Sequence, residues 1–470
     1  MKRNTSLIVF LLPLLIVAQE LRLTKGTITD DIVVNDSLSE TMAIYLPSSF
    51  EITKAWPVLF VFDMEGKAKQ SLSMFKDAAE QEGYVLAGSN AVSDTLNIAQ
   101  NVLITSRMFN AVVDMIPVLK NRVYTGGFSS GARFASVLPT FIKDIEGVIS
   151  CGAAIGNIEI LSNKNPFYFI GVVGREDYNY RAMLVDQKIL DKLKFLNQLL
   201  IFDGGHNWPN KDQLADAMRI FTLHGMAKGT EPKNDSLITE SYNKFLAEAN
   251  EMFTNDSPIL ANYRLSTVNR VFNPLLEVDS LKRTLKALKR SNTFRTKNRE
   301  QNNYFLKETF TKEDYNYYLE EDIITYNYNN LGWWNYQMTE LDKLEQSDNL
   351  FKRRMGKRLR GYLNALIADN IDLIKSENKI DLEALNFLYM LKTITEPTDY
   401  ESYLKIISYS SSIEDYGTAL FYLEELLKNG YKNKSELYAL ENTALLRITP
   451  EFNELVEKYL KESRYDLIED

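Results

Sequence analysis

The chain has 470 residues, 45% apolar and 25% charged, enough for about two to four domains with large cores and no need of a disulfide or metal staple. Its 54 Lys and Arg against 63 Asp and Glu leave a net charge of −9, which excludes general nucleic-acid binding, because that rests on a basic surface. One cysteine, Cys151, excludes an intramolecular disulfide and a multi-cysteine metal site, and the two histidines, His206 and His224, exclude a His-rich metal centre.

Lys2 and Arg3 precede an apolar run over 6–17, and Val17-Ala18 then meets Gln19-Glu20. A positive start, a short apolar stretch and a small-residue junction predict a cleaved export signal over residues 1–18. The competing reading, a retained membrane anchor, is disfavoured by the short run. No cysteine follows it to carry a lipid. The expected location is periplasmic or secreted, with no stable membrane anchor after cleavage.

Residues 19–230 read as an α/β domain. Strand-like runs fall at 41–46 (TMAIYL), 58–62 (VLFVF), 84–87 (YVLA), 122–125 (RVYT), 148–151, 167–173 and 199–202. Helical patterns lie between them at 70–81, 95–119, 131–143 and 180–193. Continuous apolar strands alternating with helices imply a mostly parallel sheet covered on both faces. Chemistry in such sheets sits on loops just past the strand C-termini.

Three of those loops carry suitable residues. Gly127-Phe128-Ser129-Ser130-Gly131 is a G-x-S-x-G run between a strand and a helix, the context in which a sharp turn exposes a nucleophilic serine. Ser129 is the candidate nucleophile, and the backbone N–H of Ser130 would face the reacting carbonyl. The bland alternative is a glycine-rich turn with a capping serine. His206 lies in the Asp203-Gly204-Gly205-His206-Asn207-Trp208-Pro209 loop after a late strand, where a general base belongs. Between them, Asp177 is the candidate acid and Glu176 its rival, on the loop after 167–173. His224 ends the helical pattern 212–224, where a positive imidazole would suit the helix dipole, so its expected role is structural.

The stretch from about 38 to 225 resembles the α/β-hydrolase superfamily, nearest to exported esterases of the polyhydroxybutyrate depolymerase-like and feruloyl esterase-like branch. GGFSSGAR (126–133), VVGREDYNY (172–180) and FDGGHNWP (202–209) carry the resemblance. In that branch a Gly-His-x-Trp-Pro run supplies the catalytic histidine and an aromatic wall. The resemblance implies Ser129 as nucleophile, Asp177 as acid and His206 as base, with no metal or cofactor. Trp208 would flank the substrate pocket or pack beside Pro209. The sequence departs from the branch at the first oxyanion loop, which often reads His-Gly; here it reads Phe62-Asp63-Met64-Glu65-Gly66-Lys67. The N–H of Met64 or Glu65 could complete the oxyanion hole, and two nearby carboxylates would be unfavourable unless they point away.

Sixteen of the 21 glycines lie at or before Gly229, and 229–236 reads as a polar linker. Beyond it, residues 231–470 read as an all-α domain, with helices expected at 241–253, 262–272, 280–289, 303–309, 314–328, 332–346, 351–375 and 381–393. The tail adds 415–427, 434–446 and a last helix from Pro450 to about 463. Its alternation resembles divergent tetratricopeptide-type pairs, without a clean 34-residue period. Such an array presents a groove to a protein partner or caps the hydrolase. Trp333, Trp334 and Tyr336 read as core, and the basic run Lys352, Arg353, Arg354, Lys357, Arg358 and Arg360 reads as a solvated helix.

The expected function is an exported serine esterase that cleaves a small-molecule or polymer-linked carboxylic ester through an acyl-enzyme. The alternative is a catalytically inactive hydrolase-fold scaffold that binds through its helical domain. A serine peptidase is a third, weaker reading.

Overall fold

Continuously apolar strands, buried on both faces, organise the N-terminal region. The computed structural model describes residues 23–461; the expected export signal over 1–18 and the last two residues of the final expected helix lie outside them. Eight strands form one sheet: β1 (Ile28–Asn35), β2 (Glu40–Tyr45), β3 (Trp56–Phe62), β4 (Val85–Ser89), β5 (Val118–Phe128), β6 (Ile145–Cys151), β7 (Tyr168–Gly174) and β8 (Asn197–Phe202). Their spatial order is β1-β2-β4-β3-β5-β6-β7-β8. β2 runs antiparallel to both neighbours, and β4, β3 and β5 to β8 are parallel.

Along β3, Leu59 and Val61 enter one core while Val58, Phe60 and Phe62 enter the other. Helices α1 (Ala68–Glu82) and α5 (Lys211–Lys228) cover the first face. Helices α2 (Ile98–Met115), α3 (Ser130–Phe141) and α4 (Tyr180–Lys192) cover the second. This is an α/β-hydrolase domain: a mostly parallel sheet between helical layers, with the serine turn at the end of β5.

The polar linker does not divide the core at residue 230. Helices α6 (Asp235–Thr254), α7 (Pro258–Phe272) and α8 (Asp279–Arg290) follow it at once. Ile238, Phe245, Leu265, Phe272 and Leu288 of these helices join the same apolar cluster as Leu59, Tyr124 and Leu200 of the sheet. A continuous core therefore crosses the linker. At its margin Arg264 bridges Asp216 of α5 and Glu248 of α6.

The remaining helices are α9 (Asn292–Thr325), α10 (Leu331–Glu345), α11 (Leu350–Lys375), α12 (Leu382–Thr395), α13 (Tyr400–Ser412), α14 (Tyr416–Lys428), α15 (Lys434–Ala439) and α16 (Pro450–Leu460). α9 is one helix of 34 residues where two, at 303–309 and 314–328, were expected. The helix expected over 434–446 stops at Ala439, and 446–448 is a single 3₁₀ turn. Trp334 is fully buried, with its indole N–H on Asp322 at 2.8 Å, as its core reading requires, whereas Tyr336 is 53% exposed and lies outside that core. Among the described residues no helix is long and apolar enough to cross a membrane.

His224 corrects its expected charge. Its ring stands edge-on to Tyr168 with centroids 4.9 Å apart, inside the α5 layer. Burial, aided by Lys228, pushes its pKa from 6.5 to about 4, so it is neutral at the helix C-terminus at neutral pH. Because the folded state binds the proton less readily, stability is fully present above about pH 6.5 and is lost as pH falls toward 4. The expected loss across that window is on the order of 3 kcal/mol. Urea melts at pH 7 and pH 5 check it: His224→Gln should flatten the dependence, and an unchanged slope would rule His224 out.

Candidate active site

The turn after β5 is strained in the way an exposed nucleophile requires. Ser129 sits at φ 51 and ψ −119, a positive-φ conformation that L residues avoid. Its neighbours permit the turn only as glycines. A Cβ on Gly131 would lie 2.1 Å from the Phe62 carbonyl oxygen, and one on Gly127 would lie 2.7 Å from the same atom. The serine turn is thus packed directly against the end of β3.

The other two loops converge on it. His206 Nε2 is 3.0 Å from Ser129 Oγ, and His206 Nδ1 is 3.0 Å from Asp177 Oδ2. Asp177 is fully buried, and its second oxygen accepts the Asn179 N–H at 2.8 Å. A carboxylate can only accept, so Nδ1 carries the imidazole proton and Nε2 is left to accept from the serine hydroxyl. The rival Glu176 points elsewhere, pairing with Lys357 at 2.8 Å. The acid and histidine loops are stitched together below the site. Arg175 N–H donates to the Phe202 carbonyl and Glu176 N–H to the Gly204 carbonyl, both at 2.9 Å, and Arg175 Nε holds Asp203 at 2.6 Å. Gly152 leaves room for the pair: a Cβ there would stand 3.1 Å from Asp177 Oδ2 and 3.4 Å from His206 Cε1.

The oxyanion candidates separate. Ser130 opens α3, so its N–H lies among the unpaired first donors of the helix. Met64 lies two residues past the end of β3, shares a cavity of about 510 Å³ with Ser130, and its N–H meets no protein acceptor among the described residues. Glu65 does not qualify, because its N–H is taken by Asp63 Oδ1 at 2.9 Å in a tight local turn. The same contacts remove the electrostatic objection: the Asp63 carboxylate is turned into the loop, and Glu65 pairs with Lys67. A third carboxylate does face the cavity. Asp94 lines it beside Ser130, and burial and then Asp372 raise its pKa.

Trp208 stands one ring away from the chemistry. It stacks on Phe128 at 5.1 Å and meets Phe75 edge-on at 6.0 Å, and Phe128 in turn lies 4.7 Å from the His206 ring. Its packing is that of an aromatic support behind the histidine. The other face of His206 is covered by Tyr178, with ring centroids 4.5 Å apart and the phenol oxygen 3.3 Å from Nε2. Sequence reasoning missed Tyr178; its signal was adjacency to Asp177, which puts it over the histidine once the acid turns inward. Arg133, one helical turn past Ser129, was also missed. It borders the cavity shared by Met64 and Ser130 and a second one of about 510 Å³, lined by Tyr178, Tyr362 and Asp369.

No family model matches the chain, and no curated protein matches it. Among solved structures it is similar to Est1E from Butyrivibrio proteoclasticus, at 12% identity and a TM-score of 0.34 over 41% of this chain and 97% of that one. It is similar to a feruloyl esterase module from Clostridium thermocellum, at 13% identity and a TM-score of 0.35 over 41% and 86%. It is also similar to FphF, a fluorophosphonate-binding serine hydrolase of Staphylococcus aureus, at 11% and 0.35 over 42% and 97%. The fold assignment rests on the sheet topology and the turn at Ser129, not on these likenesses.

Proposed function

We propose that the protein is an exported serine hydrolase that cleaves a carboxylic ester through Ser129, His206 and Asp177. The observation that carries this reading is the unbroken line of hydrogen bonds from Asp177 Oδ2 through the His206 ring to Ser129 Oγ, each 3.0 Å long. The ester carbonyl lies over the serine with its oxygen toward the N–H groups of Ser130 and Met64. His206 Nε2 takes the hydroxyl proton as Oγ attacks, and the Asp177 carboxylate stabilises the imidazolium that forms. The two N–H groups bear the oxyanion, each worth about 100- to 1000-fold in rate. His206 returns the proton to the leaving alcohol. Water then clears the acyl group by the same steps in reverse.

The two cavities beside Arg133 suit the acyl and alcohol portions of a small-molecule or polymer-linked ester. The helical region over 231–470 serves as a divergent tetratricopeptide-like array that meets a protein partner. Export rests on the charged and apolar pattern of residues 1–18.

A fluorophosphonate probe tests nucleophile, base and oxyanion donors together without assuming a substrate. Wild-type protein should be labelled at a single site, mapped to Ser129 by mass spectrometry, and Ser129→Ala should not be labelled. Folded wild-type protein that resists the probe would sink the hydrolase reading.

A further inference from the structure

The loop that carries the acid is gripped by two helices of the C-terminal half. Arg358 of α11, 3% exposed, donates from Nη1 to the Arg175 carbonyl at 2.9 Å. Lys312 of α9 donates from Nζ to the Tyr178 carbonyl at 3.0 Å. The peptide oxygens on both sides of Asp177 are therefore held by cations from the helical half. One carboxylate anchors both cations: Glu308, fully buried, accepts from Arg358 at 2.6 and 2.8 Å and forms an ion pair with Lys312 at 3.0 Å. Lys357 of α11 takes Glu176 at 2.8 Å, and Arg354 takes Asp203, at the root of the histidine loop, at 3.2 Å. The basic run of α11 is thus no solvated face, since Arg354 and Arg358 are buried and committed.

A cap needs none of this. An apolar face of equal volume would cover the loop as well or better, because desolvating buried ion pairs offsets their attraction. What such pairs add is a fixed position. The packing points the same way. Gly361 lies mid-helix in α11, where a Cβ would come 3.3 Å from Tyr178 Cδ1, and the Tyr178 ring covers His206.

We propose that the helical half is a working component of the hydrolase site: α9 and α11, through Lys312, Arg358 and Gly361, position the Arg175–Tyr178 loop so that Asp177 and Tyr178 meet His206. These are positioning residues, and the proposal rests on the triad reading above. Lys312→Met keeps the side-chain stem and removes the charge. In the full chain it should slow fluorophosphonate labelling of Ser129 about 10- to 100-fold, the scale of an ångström-sized displacement of a catalytic group. Affinity for the probe should change little, and Lys312→Arg should restore most of the rate. Gly361→Ala favours the helix and should not lower the melting temperature. It should still slow labelling at least about threefold by pushing Tyr178 onto the histidine.

A second readout needs no activity. In histidine-labelled protein the Nδ1 proton of His206, held by a carboxylate, should resonate far downfield in wild type, and it should move or vanish in Lys312→Met. Unlabelled wild type with that resonance shifting in the variant would defeat ester hydrolysis and keep the clamp. Folded variants with wild-type labelling or, where wild type is unlabelled, an unmoved resonance would overturn the clamp. If Lys312→Met does not fold, Gly361→Ala decides alone by the same two readouts.

Discussion

His206→Ala should lower turnover of an activated aryl ester by roughly 10⁵- to 10⁶-fold, as much as losing the serine itself, because the groups of such a line act as a unit. No neighbour can stand in. His224 lies in α5 against Tyr168. Tyr178 does reach the site, but burial raises its pKa, so the phenol is a poor base at neutral pH. The substitution itself is benign to the fold, since His206 lies on a partly exposed loop and its stacking partners Phe128 and Tyr178 keep their own supports. Steady-state hydrolysis of a p-nitrophenyl acyl ester, with circular dichroism as the folding control, measures the loss. A variant that retains more than about 1% of wild-type turnover would remove His206 as the base.

Asp177→Asn should cost about 10⁴-fold in kcat with little change in KM. The side chain keeps its shape, and its amide oxygen can still accept the Asn179 N–H that now reaches Oδ1. That leaves the NH₂ group facing His206 Nδ1. A donor there demands an acceptor, so the imidazole proton moves to Nε2, and the nitrogen beside Ser129 can no longer take a proton. The damage is therefore to a tautomer rather than to a position. Glu176→Gln, which only loosens the contact with Lys357, provides the comparison. A larger loss from Glu176→Gln than from Asp177→Asn would transfer the acid's role.

The strands that carry these loops were legible because each is apolar throughout and bounded by turn formers, as β3 and β7 illustrate. β1 was not, since its ITDDIVVN sequence is an irregular edge strand with register shifts and a positive φ at Asp31. The 34-residue α9 read as two helices because its inward positions include Gln301, Glu308 and Asp322, whose polarity breaks the apolar stripe. α13 escaped for a similar reason: Ser402, Ser410 and Ser411 are buried in it, which hydrophobic periodicity cannot register. The three central residues of the site were legible only as a conjunction, in the order Ser129, Asp177, His206 with each on a loop after a strand, since Asp177 alone could not be told from Glu176. Met64 over Glu65 was not legible, because that choice depends on which N–H the Asp63 carboxylate captures. The grip of Lys312 and Arg358 on the acid loop joins residues 134 and 183 positions apart, a separation at which a lone sequence holds no pairing information.

The core that runs on past residue 230 also sets a timetable for the newborn chain. When α5 has emerged from the ribosome, the apolar sites that α6 to α8 will occupy are still bare. At 5–20 residues per second, the wait for Arg290 lasts on the order of several seconds. For that interval the nascent protein offers a broad greasy surface beside finished strands, a state that attracts holding chaperones and proteases. Folding quality control should thus act on this chain at one definable stage, after the sheet is spelled out and before α8 arrives.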